Sequence, residues 1–311
     1  MIDTTDVQAS TERSHRMYLN ALLSKGIFVD IGVPGVYGKG SSFETIVDAL
    51  SRFIGQAGAG LGAEVLRFPP VMARADLERS HYLNSFPHFV GSVHSFEGND
   101  RDHRDIVSVL ETGGDWGTHF LPTDLVLTPA ACYPLYPHAA GVLPAAGRLF
   151  DVQSYCFRHE PSGDPARMQM FRMHEFVRMS TPHDVAAFRD FWLTRAQEML
   201  GSIGIRADAV VANDAFFGRA GMMLAATQME RALKFELVAE VADAARPTAL
   251  VSCNYHQSHF GESFSIKTAD GAPAHTACVG FGLERITLAL YRAHGLELTA
   301  WPESIRTTLD L

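Results

Sequence analysis

Apolar positions recur at helical spacing near the start of the chain. Residues 11–25 form one amphipathic stretch, and residues 42–56 place Phe43, Ile46, Val47, Leu50, Phe53 and Ile54 on a common helical face. Glycines at 55, 58, 60 and 62 are expected to end that second helix. The segment 63–68, Ala-Glu-Val-Leu-Arg-Phe, reads as a strand that stops at Pro69-Pro70, where ladder donors are lost. Segments 121–127, 149–158, 170–178 and 248–254 also read as strands. Thr181-Pro182-His183-Asp184 opens a helix whose Val185, Phe188, Trp192 and Met199 share a face and whose stop is Gly201. A long helix over 218–245 and a last one from Gly282 complete the pattern. Strands and helices come in blocks rather than in βαβ alternation, which implies an α+β fold. No repeat or low-complexity tract divides the chain, so a single domain over 1–311 is expected.

Composition narrows the function classes. The 311 residues are 47% hydrophobic and 20% charged, an ordinary globular mixture. A formal net charge of −9 provides no global positive field to gather a polyanion, which disfavours non-specific nucleic-acid binding. The opening MIDTTDVQASTER lacks the basic and apolar regions of a secretory signal, and no later apolar run approaches the roughly 18 residues of a membrane span. A soluble cytoplasmic protein without a membrane partner is expected. Cys132, Cys156, Cys253 and Cys278 are too few and too scattered for a disulfide framework, so any special role for them is metal binding or chemistry.

Two glycine-rich segments test as nucleotide loops and fail. Gly35-Val36-Tyr37-Gly38-Lys39-Gly40 is too short for a phosphate loop and has Gly40 where a metal-binding hydroxyl belongs. Gly58-Ala59-Gly60-Leu61-Gly62 follows a helix and precedes a strand, the reverse of the order that places pyrophosphate on a helix N-terminus.

The informative segment is 156–179, CFRHEPSGDPARMQMFRMHEFVRM. Two strand-like runs, each with an Arg, flank a polar loop, an antiparallel hairpin able to hold two cations over one phosphate chain. Further on, GFGLER at 280–285 runs from a glycine strand into a helix with a third Arg at the turn.

These residues resemble the signature motifs of class II aminoacyl-tRNA synthetases. Arg158-His159-Glu160 within CFRHE is similar to motif 2, FRMHEF at 171–176 to its returning strand, GFGLER to motif 3, and the helix from Ser42 with AEVLRFPP to motif 1, the usual dimer element. The resemblance covers 40–295 and is strongest to seryl-tRNA synthetases, with Leu127-Thr128-Pro129-Ala130-Ala131-Cys132 where that family has its substrate-binding loop. It implies an antiparallel sheet flanked by helices, forming one catalytic domain. In the methanogen-type, zinc-dependent branch the resemblance implies a Zn²⁺ held by Cys132, Glu175 and Cys278, with a position left open for a substrate amine. His174 should point to the opposite face of its strand, and Cys156 and Cys253 read as small buried hydrophobes.

About 40 residues precede motif 1, a helical extension over 1–40 in place of a tRNA-binding domain. That combination resembles the truncated amino acid:[carrier protein] ligases. The resemblance implies ATP-dependent activation of glycine or alanine and transfer to the phosphopantetheine thiol of an acidic carrier protein, by a homodimer that uses no tRNA. Ser180 stands near a position where seryl enzymes have a glutamate, which makes serine a poorer expectation. By resemblance Arg158 and Arg285 are catalytic, Arg158 on the α-phosphate, Glu160 receives the adenine amino group and Phe176 stacks on the adenine. Arg172 and Arg285 hold the γ-phosphate side, and Mg²⁺ bridges the phosphates with no protein acid assigned to it. Glu284 is expected to orient Arg285.

For the carrier, the helix from Gly218 offers Arg219, Arg231 and Lys234 beside Met222, Met223 and Met229, a basic docking face or equally a solvated flank. Two other readings stay open: a synthetase that borrows a tRNA-binding partner, and an inactive regulatory paralogue.

Overall fold

Seven strands form the sheet on which the rest is built. In chain order they are β1 (Glu64–Arg67), β2 (Arg148–Phe157), β3 (Met170–Ser180), β4 (Asp208–Val211), β5 (Lys234–Ala239), β6 (Thr248–Gln257) and β7 (His275–Gly282). Their order across the sheet is β4-β5-β6-β7-β3-β2-β1, antiparallel throughout except for the parallel edge pair β1–β2. The chain is seen in a computed structural model that describes residues 4–311; residues 1–3 of the expected domain lie outside the described residues.

Five helices matter to the argument: α1 (Thr4–Ser24), α2 (Ser41–Ala59), α3 (Pro182–Ser202), α4 (Gly218–Glu230) and α5 (Leu283–His294). α2 buries Phe43, Ile46, Val47, Leu50 and Ile54, the face read from its spacing. The glycines did not end it where expected, since Gly55 and Gly58 lie inside the helix. At Gly58 the close approach of β3 demands glycine, because a Cβ there would lie 2.2 Å from the Phe176 ring. α3 starts as its sequence says, with the Thr181 hydroxyl accepting from the Asp184 amide and Pro182 in the first turn. Together α2, α3 and α5 cover one face of the sheet in the larger core, where Trp192 stacks on Phe176 with centroids 4.6 Å apart.

The opposite face meets a second, smaller core. There residues 128–143 and the helix His259–Phe264 pack over β2, β3 and β7, with Tyr136 stacked on Phe260 at 3.8 Å.

Two further expectations are corrected, and one strand forms where expected. The helix expected over 218–245 ends at Glu230, and Lys234–Ala239 is instead β5, whose Leu237 and Ala239 are buried in the larger core. The helical extension over 1–40 is a helix followed by a hairpin, Phe28–Val33 paired with Val36–Lys39 around Pro34-Gly35, where Gly35 has φ +76°. The strand Leu121–Leu127 forms in a separate three-stranded sheet with Val71–Ala73 and Ser92–Ser95. Among the described residues no helix is long and apolar enough to cross a membrane.

Candidate active site

Strand register decides what the open face of the sheet presents. One row across the strands reads Val152, Glu175, Gly280, Ser252, Glu236, and the row two residues on reads Phe150, Val177, Cys278, Asn254, Lys234. The interleaved row of Asp151, Phe176, Val279, Cys253 and Phe235 faces the helices.

Over the first two rows the loop after Leu121–Leu127 lays down Cys132. One ligand atom each from Cys132, Glu175 and Cys278 lies within 4.8 Å of the others, all three residues buried. The Ala131 amide donates to Glu175 Oε1 at 2.9 Å, while Oε2 is buried with no partner. Burial, and then the nearby Cys278 sulfur, pushes the Glu175 carboxyl up to about 8. In the coupled thiol pair, the hydrogen bond between Cys132 and Cys278 holds the Cys278 thiol well down and the Cys132 thiol well up. Two sulfurs and a half-orphaned carboxylate, packed without a neutralising lysine, form a donor set that fits Zn²⁺. The expected trio is therefore brought together, and His174, Cys156 and Cys253 fall off it: His174 bonds Asp151 on the helix face, and both cysteines are buried.

The cationic end lies beyond Glu175. Arg158 leaves the end of β2, donates to the Pro129 carbonyl at 3.2 Å, and sets its guanidinium 5.5 Å from the ring of Phe171. Arg285, at the start of α5, donates to the carbonyls of Ala166 (2.9 Å) and Ala249 (3.1 Å). Burial, then the fields of Arg158 and Arg167, draws the Arg285 pKa down. Three guanidiniums gathered here, with those of Arg158 and Arg167 acting on Arg285, suit an incoming polyphosphate. Glu160 accepts from Arg167 at 3.2 Å, and nearby Lys234 is clamped between Asp214 (2.6 Å) and Glu236 (2.9 Å).

Two expected nucleotide residues are not there. Phe176 is fully buried between Gly58 and Trp192 on the helix face. Arg172 shares that face. Its guanidinium is bidentate to Glu44 of α2 (2.6 and 2.9 Å) and donates to Glu284 of α5 at 2.8 Å, so its charge is already matched. Glu284 likewise holds Arg172, accepting from its backbone amide at 2.6 Å, rather than Arg285. The residues that do reach the open face are Arg167 and Phe171, which the motif reading missed. Counting back from Glu175 in steps of two along β3 reaches Phe171 and identifies the face.

Arg219 and Arg231, expected to dock a carrier, are exposed at the two ends of α4. Between them Met222 and Met223 are 66% and 75% exposed. Lys234 is not part of this surface, because it is buried in β5. Gln228 ties α4 to Asp214 through two hydrogen bonds, 2.7 and 2.8 Å.

This arrangement is that of a class II aminoacyl-tRNA synthetase catalytic domain. The chain superposes on M. kandleri seryl-tRNA synthetase, solved with A. aeolicus tRNASec, at a TM-score of 0.80 and 20% identity, covering 94% of this chain and 60% of that one. It also matches Pyrococcus horikoshii seryl-tRNA synthetase, solved with ATP, at a TM-score of 0.66 and 18% identity over 94% of this chain and 62% of that one. No protein-family model matches the chain. Against curated proteins, it is 46% identical over 291 residues to amino acid–[acyl-carrier-protein] ligase 1 of Bradyrhizobium diazoefficiens, covering 93% of this chain and 89% of that protein. It is also 25% identical over 270 residues to a type-2 serine–tRNA ligase of Methanococcus aeolicus, covering 79% of this chain and 50% of that protein. The chain belongs to the family of amino acid–[acyl-carrier-protein] ligases.

Proposed function

We propose that this enzyme activates glycine or alanine with ATP and transfers the aminoacyl group to the phosphopantetheine thiol of an acidic carrier protein. The observation that carries this reading is the placement of the Cys132–Glu175–Cys278 trio and the Arg158–Arg167–Arg285 cluster on one sheet face. An amino acid anchored at the first presents its carboxylate to a nucleotide anchored at the second. Zn²⁺ held by the trio supplies a Lewis-acid position for a neutral α-amine. The chain's own residues do the rest. Arg158 holds the α-phosphate as a carboxylate oxygen bonds to its phosphorus and the bond to pyrophosphate breaks. Phe171, under Arg158, takes the adenine face in place of Phe176; Glu160 accepts from the adenine amino group; Arg167 and Arg285 neutralise the departing phosphates.

In the second step the carrier thiol loses its proton, its sulfur bonds to the acyl carbon, and AMP leaves with the bonding electrons. Mg²⁺ would travel on the nucleotide. The carboxylate facing Ser252 is Glu236, already paired with Lys234, so no protein ligand for Mg²⁺ is assigned. The carrier docks on α4 through Arg219, Arg231 and the exposed methionines. A homodimer would form along α2 and the edge strand β1, covering exposed Val65. The cytoplasm is the setting this reading implies.

The test is ATP–pyrophosphate exchange against an amino-acid panel with zinc-loaded protein, repeated with Cys132→Ala, followed by mass analysis of carrier incubated with enzyme, ATP and the active amino acid. Exchange with glycine or alanine that vanishes in Cys132→Ala, plus an aminoacylated carrier, supports the reading; charging of total tRNA instead would replace it.

A further inference from the structure

The sulfur of Cys278 meets two side-chain nitrogens from β6. Asn254, its cross-strand partner, brings Nδ2 to 3.4 Å, and His256 brings Nε2 to 3.6 Å. The register of β6 against β7 shifts between Tyr255 and Gln257, and Gln257 takes a left-handed φ of +55°. An irregularity of this kind re-aims a side chain, and the one it falls on is His256. The imidazole is then fixed from its far side: Nδ1 lies 3.0 Å from Oγ1 of Thr276, a fully buried residue two positions before Cys278. Phe260, edge-on at 5.0 Å, and Tyr136, edge-on at 6.4 Å, hold the ring against rotation. His256 is not itself among the mutually close ligand atoms, which belong to Cys132, Glu175 and Cys278.

We propose that His256 is a positioning residue of the metal centre, its Nε2–H donating to the Cys278 thiolate so that the sulfur is aimed at the ion and gives it less electron density. The inference rests on reading Cys132, Glu175 and Cys278 as metal ligands. A thiolate can only accept, which places the imidazole proton on Nε2 and makes Nδ1 the acceptor of the Thr276 hydroxyl. The chain Thr276–His256–Cys278 thus orients a ligand from outside the ligand set, as outer partners of metal sites do.

Co²⁺ is the probe. Metal-stripped protein is titrated with Co²⁺ against a competing chelator, and the sulfur-to-cobalt charge-transfer band is recorded, with thermal melting of each variant as the check on folding. Wild-type protein is expected to show the band. His256→Leu should bind Co²⁺ about 10–100-fold more weakly and shift the band to lower energy, since a thiolate without that hydrogen bond is easier to oxidise. His256→Gln, whose amide nitrogen can stand near the position of Nε2, should recover most of both. Thr276→Val should shift the band in the same direction by less. A folded His256→Leu with wild-type affinity and band overturns the proposal, as does a folded His256→Gln that behaves like His256→Leu. Wild-type protein that binds Co²⁺ with no thiolate band instead overturns the reading of the trio, and the role of His256 with it.

Discussion

The two faces of β3 carry polar groups of the same kinds in opposite circumstances. On the open face Glu175 accepts one amide hydrogen, leaves an oxygen unpartnered, and has its carboxyl pushed up to about 8. On the helix face Arg172 is met by two carboxylates, and Asp151, beside Phe176 on the neighbouring strand, is met by His174 and Arg67. The open-face carboxylate is short of partners and the helix-face charges are matched, the buried atoms left without a partner on that face being the ring nitrogens His174 Nδ1 and Trp192 Nε1. An under-partnered buried carboxylate costs far more than an unpartnered ring nitrogen, so the face that keeps one is holding a place for a ligand. The helix-face ion pairs hold α2, β3 and α5 in register. A charged residue on this strand thus acts in chemistry or in architecture according to its parity.

Arg158→Ala should break the open face most completely. It removes the guanidinium proposed to hold the α-phosphate, and pyrophosphate exchange should fall about 10³-fold, roughly 4 kcal/mol of transition-state stabilisation, while the melting temperature stays near wild type. An equal loss of exchange in Arg172→Ala with its fold intact would erase the distinction between the faces.

The two phenylalanines sharpen it. Phe176→Ala should cost about 4 kcal/mol in denaturant unfolding, because it empties the contact between Gly58 and Trp192. Phe171→Ala, a partly buried ring at the rim of the smaller core, should cost only about 1 kcal/mol of stability and raise the KM for ATP about tenfold through lost stacking. The arginines should divide the same way. Arg172→Met takes the guanidinium from Glu44 and Glu284, leaving Glu284 the Lys39 amine at 3.9 Å as its cation, and should cost about 3 kcal/mol of stability with the KM for ATP unchanged. Arg167→Ala should leave stability alone and raise that KM about fivefold, near 1 kcal/mol for a charged contact in a partly exposed loop.

How these pairs escaped the sequence reading is itself physical. Within this hairpin an Arg followed four residues later by a Phe occurs twice, at Arg167/Phe171 and at Arg172/Phe176, five residues apart. The motif matches either copy, but a slip by an odd number moves every side chain to the other face. The period-two rule that set His174 aside beside Glu175 also excludes Phe176 and Arg172, so this part of the site was legible. The metal trio was legible because its members sit on short motif strings, and the α2 face because Phe43, Ile46, Val47, Leu50 and Ile54 keep a clean helical period. β5 was readable from the alternation in Lys-Phe-Glu-Leu-Val-Ala, but α4 stops with neither Gly nor Pro, turning instead at Ala232 with φ +46°. His256 had no local signal. Its contact with Cys278 spans 22 residues and depends on a strand irregularity that forms only when β6 pairs with β7.

The last predicted effect concerns Asp151 and carries a sign. Burial pushes its carboxyl up, but the hydrogen bond and charge of His174, together with Arg67 at 2.9 Å, more than offset this and hold it below the usual carboxylate range. A depressed folded value means the stabilisation is present above the unfolded pKa, about 3.9, and is lost as pH falls through the folded one. Asp151→Asn should therefore cost about 2 kcal/mol at pH 7, the scale of a charged hydrogen bond. Urea unfolding of both proteins between pH 7 and 3 should show the gap hold steady to about pH 4 and narrow below it. A gap that does not change with pH would mean the pair contributes by shape alone, and the helix face would then owe its rigidity to packing around Phe176 rather than to matched charge.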